Sequence, residues 1–330
     1  MRARIYSGRA DRGLSLLSYC PSRTKKVMNS TTAATKPPVH SPYNYVPTFW
    51  VCLTFVALFG LSGLLHLFQA FRSRKWWLIP TLVMCAIGEV AGWSGRLWSS
   101  QNPPLKTPFV IQTTTTIVAP SFMSTALFII LGRLVKQLGT RYSRLSPKLY
   151  AIIFGVIDLT SLFIQALGGD KASNAKTLDG ANHGARIMLI GIIIQMVAIT
   201  FYALLATEFF YRFFKNRPVD KVIEYESIQF DGMEGKYPIS GRGRSKPDQS
   251  IKLLVVAIAL SSFLLYVRAV YRTVELTGGW EGPIIGTQIY FILLDGLPIF
   301  LAMLTLNILN PGSLLNRVES SELSPVTSVA

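Results

Sequence analysis

Seven apolar stretches run through residues 49–308 of this chain, each about the 20 residues that a helix needs to cross a bilayer. In hydrocarbon every backbone N–H and C=O must find its partner inside the protein, so runs of this length fold as helices packed on one another. The stretches are Phe49–Ala70, Trp77–Trp98, Val110–Gly132, Leu149–Gly168, Ile187–Tyr211, Ile251–Tyr271 and Ile284–Ile308. The expected fold class is therefore all-α, an integral membrane bundle of seven transmembrane helices. Only 15% of the 330 residues are charged, against roughly 25% in an average soluble domain. Trp50, Trp76, Trp77, Trp98 and Trp280 fall at or near the ends of the stretches, where aromatic belts form. Pro120 and Pro298 lie inside the third and seventh. A bundle tolerates them because a neighbouring helix can satisfy the carbonyl that each proline leaves free.

The net charge of +16 is carried largely by short loops rather than by one face, which argues against a nucleic-acid partner. Basic residues crowd alternate loops: Arg72, Arg74 and Lys75; Arg133, Lys136, Arg141, Arg144 and Lys148; and the segment from Arg212 to Ser250. The other loops are sparser. Positive loops stay cytoplasmic, so the N-terminus is expected outside and the C-terminus inside. The segment at about 212–250 mixes both charge signs with Gly and Pro and reads as a solvated linker without a fold. Residues 1–46 read as a disordered tail, with true initiation at Met28 as an alternative and an Arg-rich, transit-like composition before it. The sequon at Asn29 is a glycosylation candidate if that tail faces outside. Residues 312–330 read as a disordered cytoplasmic tail. Cys20, Cys52 and Cys85 are an odd, scattered set that suits packing rather than a disulfide framework.

A charge inside hydrocarbon costs about 2.5–3.5 kcal/mol on insertion scales, so it faces protein or a watery cavity. The sixth stretch carries Arg268, Arg272 and Glu275 at i, i+4 and i+7, on one helical face. The seventh carries Asp295, and the second holds Glu89 and Arg96 seven residues apart. Gln112, Asp158, Gln165 and Gln195 lie in the third, fourth and fifth. Counted at about 1.5 Å per residue, most of these groups fall at or outside the midplane, with Glu208 and His66 as exceptions. That depth bias points to a polar cavity opening outward. Four acids (Glu89, Asp158, Glu275, Asp295) face three bases (Arg96, Arg268, Arg272), leaving one carboxylate over. If Arg272 takes Glu275 in a partly exposed pair and Arg96 reaches back to Glu89 or across to a neighbour, the spare acid is Asp158 or Asp295. A buried, unpaired carboxylate is protonated or awaits a cation, which favours amine-bearing ligands.

Other chemistries drop out. Gly169–Thr177 has the outline of a phosphate loop, but Ala175 stands where glycine must precede Lys176. His66 is the single histidine within a stretch; it reads as a helix-packing hydrogen bonder, and no metal site, cofactor or enzyme active site is expected.

Ordered motifs span residues 45–312: Tyr45-Val46-Pro47; His66; Glu89, Gly92, Trp93 and Arg96; Gln112, Ala119-Pro120 and Gly132-Arg133. They continue with Phe154, Asp158, Ser161, Gln165 and Gly168; Gly191 and Gln195; Arg268, Tyr271, Arg272, Glu275, Gly278 and Gly282; and Asp295 with Pro311-Gly312. With these the chain resembles the fungal lipid-translocating exporter family. That family includes 7-aminocholesterol-resistance proteins, an exporter of sphingoid long-chain bases and a protoporphyrin-uptake protein. The resemblance implies seven helices, usually a plasma-membrane location, and membrane lipids or amphipathic small molecules as partners. Trp93, Gln288 and Asn310 depart from the family's usual Tyr, Glu and His. The reading is an ATP-independent transporter or translocase of amphipathic lipids such as sphingoid bases or sterol-like toxins. A seven-helix receptor for lipid-like ligands and a porphyrin-uptake protein are the alternatives, and the oligomeric state is open. The expected site is Glu89, Arg96, Gln112, Asp158, Gln165, Gln195, Arg268, Arg272, Glu275 and Asp295.

Overall fold

Residues 43, 45–219, 225–230, 233–238, 249–279 and 284–323 are described by a computed structural model. Each apolar stretch is a helix long and apolar enough to cross a membrane, seven among the described residues. They are α1 (Phe49–Ser73), α2 (Met84–Gln101, preceded by a tight turn and a π turn over Trp76–Val83), α3 (Lys106–Leu138), α4 (Pro147–Asn174), α5 (Leu178–Lys215) and α6 (Gln249–Thr277). The seventh is composite: α7 (Gln288–Phe291), a π turn over Ile292–Gly296, then α8 (Leu297–Ile308). An odd number of crossings puts the start of α1 and the end of α8 at opposite faces, here called the N-terminal and C-terminal faces.

The helices outrun the apolar stretches because their polar ends stay helical beyond the hydrocarbon. α5 begins at Leu178, well before Ile187, because Thr177 caps it: its Oγ1 accepts from the Gly180 N–H at 3.2 Å. Neighbours in sequence pack as neighbours in space, α4 against α5 most extensively. The main core gathers Phe59, Leu82, Met123, Leu127, Tyr202 and Met303 at the centre of the bundle. At the C-terminal face Glu208 joins two chain segments, accepting from Arg144 at 2.8 Å and pairing with Arg212 at 2.7 Å.

Three expectations need correction. The tail from 312 is not structureless: Pro311–Leu323 forms α9. Asn310 caps it through Oδ1, which accepts from the N–H of Gly312 (3.0 Å) and Ser313 (3.3 Å), and Pro311 supplies the preset first turn. Leu314, Leu315 and Val318 are buried against the bundle, while Lys75 holds Glu319 at 2.9 Å. The segment looks polar on average because a single apolar stripe is enough to dock a short surface helix. The far end of the N-terminal tail is also built in, since Tyr43 is buried and Tyr45 meets Arg96. Finally, the linker contains a hairpin, Tyr225–Phe230 antiparallel to Met233–Pro238. Its sequence signal is Asp231-Gly232 between alternating residues, a favoured pair for a two-residue hairpin connection. Asn29, Met28, Trp280, Gly282 and residues 324–330 lie outside the described residues.

Candidate functional site

Proline chemistry starts the site. Pro120 has no N–H, so the carbonyl one turn earlier, on Thr116, loses its helical donor. The Arg268 guanidinium of α6 donates to that carbonyl, and Arg272 Nη2 donates to Thr116 Oγ1 at 3.2 Å. The π turn over Ile292–Gly296 carries Asp295; an extra residue in one turn re-aims the side chains around it. Asp295 Oδ1 lies 2.7 Å from Arg272 Nε and 3.0 Å from Arg268 Nε, and its Oδ2 accepts from Arg272 Nη2 at 3.0 Å. Arg272 Nη1 reaches Glu275 Oε2 at 2.9 Å, and the Tyr271 hydroxyl donates to Glu275 Oε1 at 2.8 Å. Arg268, Arg272, Glu275 and Asp295 are all buried. The i, i+4, i+7 spacing on α6 thus does place its charges together. Two details differ from expectation: the Arg272–Glu275 pair is buried rather than partly exposed, and Asp295 is doubly paired rather than spare. The pairing of Asp295 goes with the π turn that carries it, which no periodic reading of the sequence anticipates.

Arg96 does not reach back to Glu89. Its guanidinium sits among aromatic rings, 4.2 Å from the Phe291 centroid, 5.0 Å from Tyr43, 5.5 Å from Tyr45 and 5.9 Å from Trp93. It donates to the Tyr45 hydroxyl and to Gln112 Oε1 at 3.4 Å. Cation–π attraction grows when the cation is desolvated, and Arg96 is 1% exposed. Phe291 is shared, with Arg272 5.2 Å from its centroid. Burial pushes the Tyr43 phenol up to about 12, so this wall of the cage stays neutral at physiological pH. Glu89 is left alone: 1% exposed, with neither oxygen hydrogen-bonded among the described residues. Its electrostatic neighbours are Arg268, Asp295 and Arg272, with the Trp93 indole beside it.

Asp158, Gln165 and Gln195 form a second, separate group. Gln195 Nε2 donates to Asp158 Oδ1 at 2.7 Å and to Ser121 Oγ at 2.8 Å, while Gln165 Nε2 donates to Gln195 Oε1 at 3.3 Å. Asp158 is 4% exposed and has no ion-pair partner among the described residues. The spare carboxylates are therefore Asp158, as one of the two expected, and Glu89 in place of Asp295.

Two small cavities join these groups. One, of about 50 Å³, lies at the N-terminal face between Tyr45, Arg96, Gln112, Arg272, Glu275 and Phe291. The other, of about 30 Å³, lies deeper between Gln165, Gln195, Arg268 and Arg272; Ile117 and Arg272 line both. Gln288, one of the departures from the family pattern, is outside the cluster. Its Oε1 accepts from Thr48 Oγ1 at 3.1 Å and from the Thr48 N–H at 3.3 Å, tying α7 to the start of α1. His66 is buried beside the Met303 backbone of α8 and the Gln69 side chain, as a helix-packing hydrogen bonder would be. The expected site omitted Tyr43, Thr116 and Phe291, and also Tyr271, which stood among the motif residues. Phe291 stands one helical turn before Asp295, and Thr116 one turn before Pro120. Those two offsets were the available signal.

Seven membrane-length helices around buried, mostly paired charges define a polytopic membrane protein with a polar interior at one end. The chain belongs to the RTA1 like protein family, whose model matches residues 82–318. This bears out the resemblance carried by the motifs. It is similar to the sphingoid long-chain base transporter RSB1 of Saccharomyces cerevisiae, 28% identical across 81% of this chain and 72% of that protein. From the same organism come Protein RTA1, 25% identical over 79% of this chain and 82% of its own, and protoporphyrin uptake protein 1, 28% identical over 70% and 67%. No solved structure matches the chain.

Proposed function

We propose that this protein is an ATP-independent translocase of amphipathic lipids with a cationic head, in the plasma membrane, with its N-terminal face outside. The observation that carries the reading is Asp158, a buried carboxylate held only by neutral amide and hydroxyl groups, with Gln195 standing between it and the deeper cavity. A carboxylate so placed gains from an arriving ammonium, which would replace the Gln195 amide as its partner. The similarity to a transporter of sphingoid bases supports the same ligand class. Cavities of about 50 and 30 Å³ hold a few waters at most. They suit a small amine far better than a porphyrin ring, so the porphyrin alternative is not preferred.

In cells lacking the gene, Asp158→Asn is expected to reach the surface normally but to export labelled sphingoid base no faster than an empty vector. Export at the parent rate sinks the cation-site reading. Loss of protoporphyrin uptake alone makes the anionic ligand the better assignment.

The orientation rests on the loop charges and has its own check. A reporter after Ala330 should be cytoplasmic, and a tag just before Tyr43 should bind antibody on intact cells. Both ends on one side contradicts seven crossings; both sides exchanged reverses the proposed orientation.

A further inference from the structure

A third cavity lies away from the charges. It is a groove of about 570 Å³ between α5 and α6, more than ten times larger than either polar cavity. It occupies the half of the bundle nearer the C-terminal face. Its floor is made by small side chains, Ala203 and Ala206 of α5 with Ala259 and Ser262 of α6. Its lips are Leu204 and Phe263, both more than half exposed, so the groove opens sideways toward the membrane. Ile199 lines both this groove and the deeper polar cavity. A membrane-facing apolar channel and a polar pocket thus meet at one residue.

We infer that the α5–α6 groove seats the alkyl chain of a single-chain amphipath whose head lies at the Gln165 and Gln195 side of the deeper polar cavity, next to Asp158. This rests on the proposed function and names the part of the ligand that it leaves out. Three features select the occupant. The volume falls inside the roughly 300–1,000 Å³ range of small-molecule sites, and the groove is one channel rather than two, so it takes one chain. From Ile199 to Tyr211 it follows α5 for roughly 18 Å, which suits a long chain lying along the helix rather than a compact ring. The head cavity, about 30 Å³, accepts an ammonium or hydroxyl and excludes a phosphodiester. Ser262 adds a polar group to the groove wall, buried to 7% exposure with the Tyr202 hydroxyl beside it. It stands one helical turn from Leu265, which lines the head cavity.

The test uses purified full-length protein in nanodiscs and an octadecylamine carrying a photoreactive diazirine near the chain end. Adducts should map to the α5 and α6 walls around Ala203 and Ala259. Unlabelled octadecylamine should compete at least about tenfold better than octylamine, because each additional buried methylene adds affinity. Ala259→Trp, at an exposed position that the fold can accommodate, should cut labelling at least fivefold. Leu159→Trp, on the exposed face of α4, should leave it unchanged. Adducts spread evenly over α4, α5 and α6, or labelling indifferent to Ala259→Trp, overturn the groove assignment. Octadecanol separates the two proposals. If it competes as well as octadecylamine while adducts stay in the groove, the chain site stands and the cationic-head reading falls. If Asp158→Asn abolishes export but Ala259→Trp changes neither labelling nor export, the groove falls and the head site stands.

Discussion

Asp295→Asn is expected to cost this protein its fold rather than its selectivity. Asp295 is 1% exposed and neutralises Arg268 and Arg272 together. The amide in its place leaves two buried guanidiniums sharing Glu275 and the Thr116 oxygens. Removing one partner of a buried pair costs about 3–5 kcal/mol, a large share of the roughly 5–15 kcal/mol by which a typical protein is stable. Purified in mild detergent, the variant should show a strongly lowered unfolding midpoint, and little of it should reach the cell surface. Asp158→Asn should behave oppositely, because an asparagine Oδ1 still accepts from Gln195 and no ion pair is broken. Parent-like abundance and stability of Asp295→Asn would show that the arginines find other partners. The buried triad would then lose its structural role.

The second large effect lies in the α4–α5 seam. A Cβ on Gly184 would sit 2.5 Å from the Ala172 backbone nitrogen, and one on Gly168 would sit 2.5 Å from the Met188 nitrogen. Both obstacles are main chain, so no rotamer change relieves them and the helices must part. Small residues let membrane helices approach this closely, and van der Waals packing then holds them. Overpacking a filled interior costs about 1–3 kcal/mol per site, occasionally more. Gly168→Leu with Gly184→Leu should therefore abolish the monodisperse folded peak after mild heating. Gly155→Leu on the same α4 helix, with nothing within 4 Å of its Cβ position, should be tolerated. Equal behaviour of the two sets would mean that the seam is not close-packed.

Much of the candidate site was readable because charge in hydrocarbon is rare and expensive. Every buried ion singled out from the sequence is buried in the structure: Glu89, Arg96, Asp158, Arg268, Arg272, Glu275 and Asp295. Their partners were less readable. Charge counting assigned Arg96 to an acid, whereas four rings and two neutral acceptors hold it. Phe291 was marked only by its place one helical turn before Asp295, and Tyr43 lies before α1, where no hydrocarbon penalty singles out a residue. The α5–α6 groove was invisible for a related reason. Alanines at 203, 206 and 259 read as ordinary membrane-helix residues until two helices face one another.

The sequence by itself determined the seven crossings, the family and which polar residues lie inside. The crossings and the buried polar residues follow from composition over a local window, where hydrocarbon forces backbone pairing and penalises charge residue by residue; the family follows from the ordered motifs along residues 45–312. The tertiary structure alone decided which charges meet. Asp295 belongs to Arg268 and Arg272 because a π turn re-aims one side chain. Thr116 receives Arg268 because Pro120 frees a carbonyl across the bundle. Glu89 has Arg268 and Arg272 as electrostatic neighbours yet no ion pair, because Asp295 and Glu275 take those guanidiniums, and Asp158 is held by Gln195 instead. Such outcomes depend on the rotation and offset of packed helices, quantities that no local pattern of residues encodes.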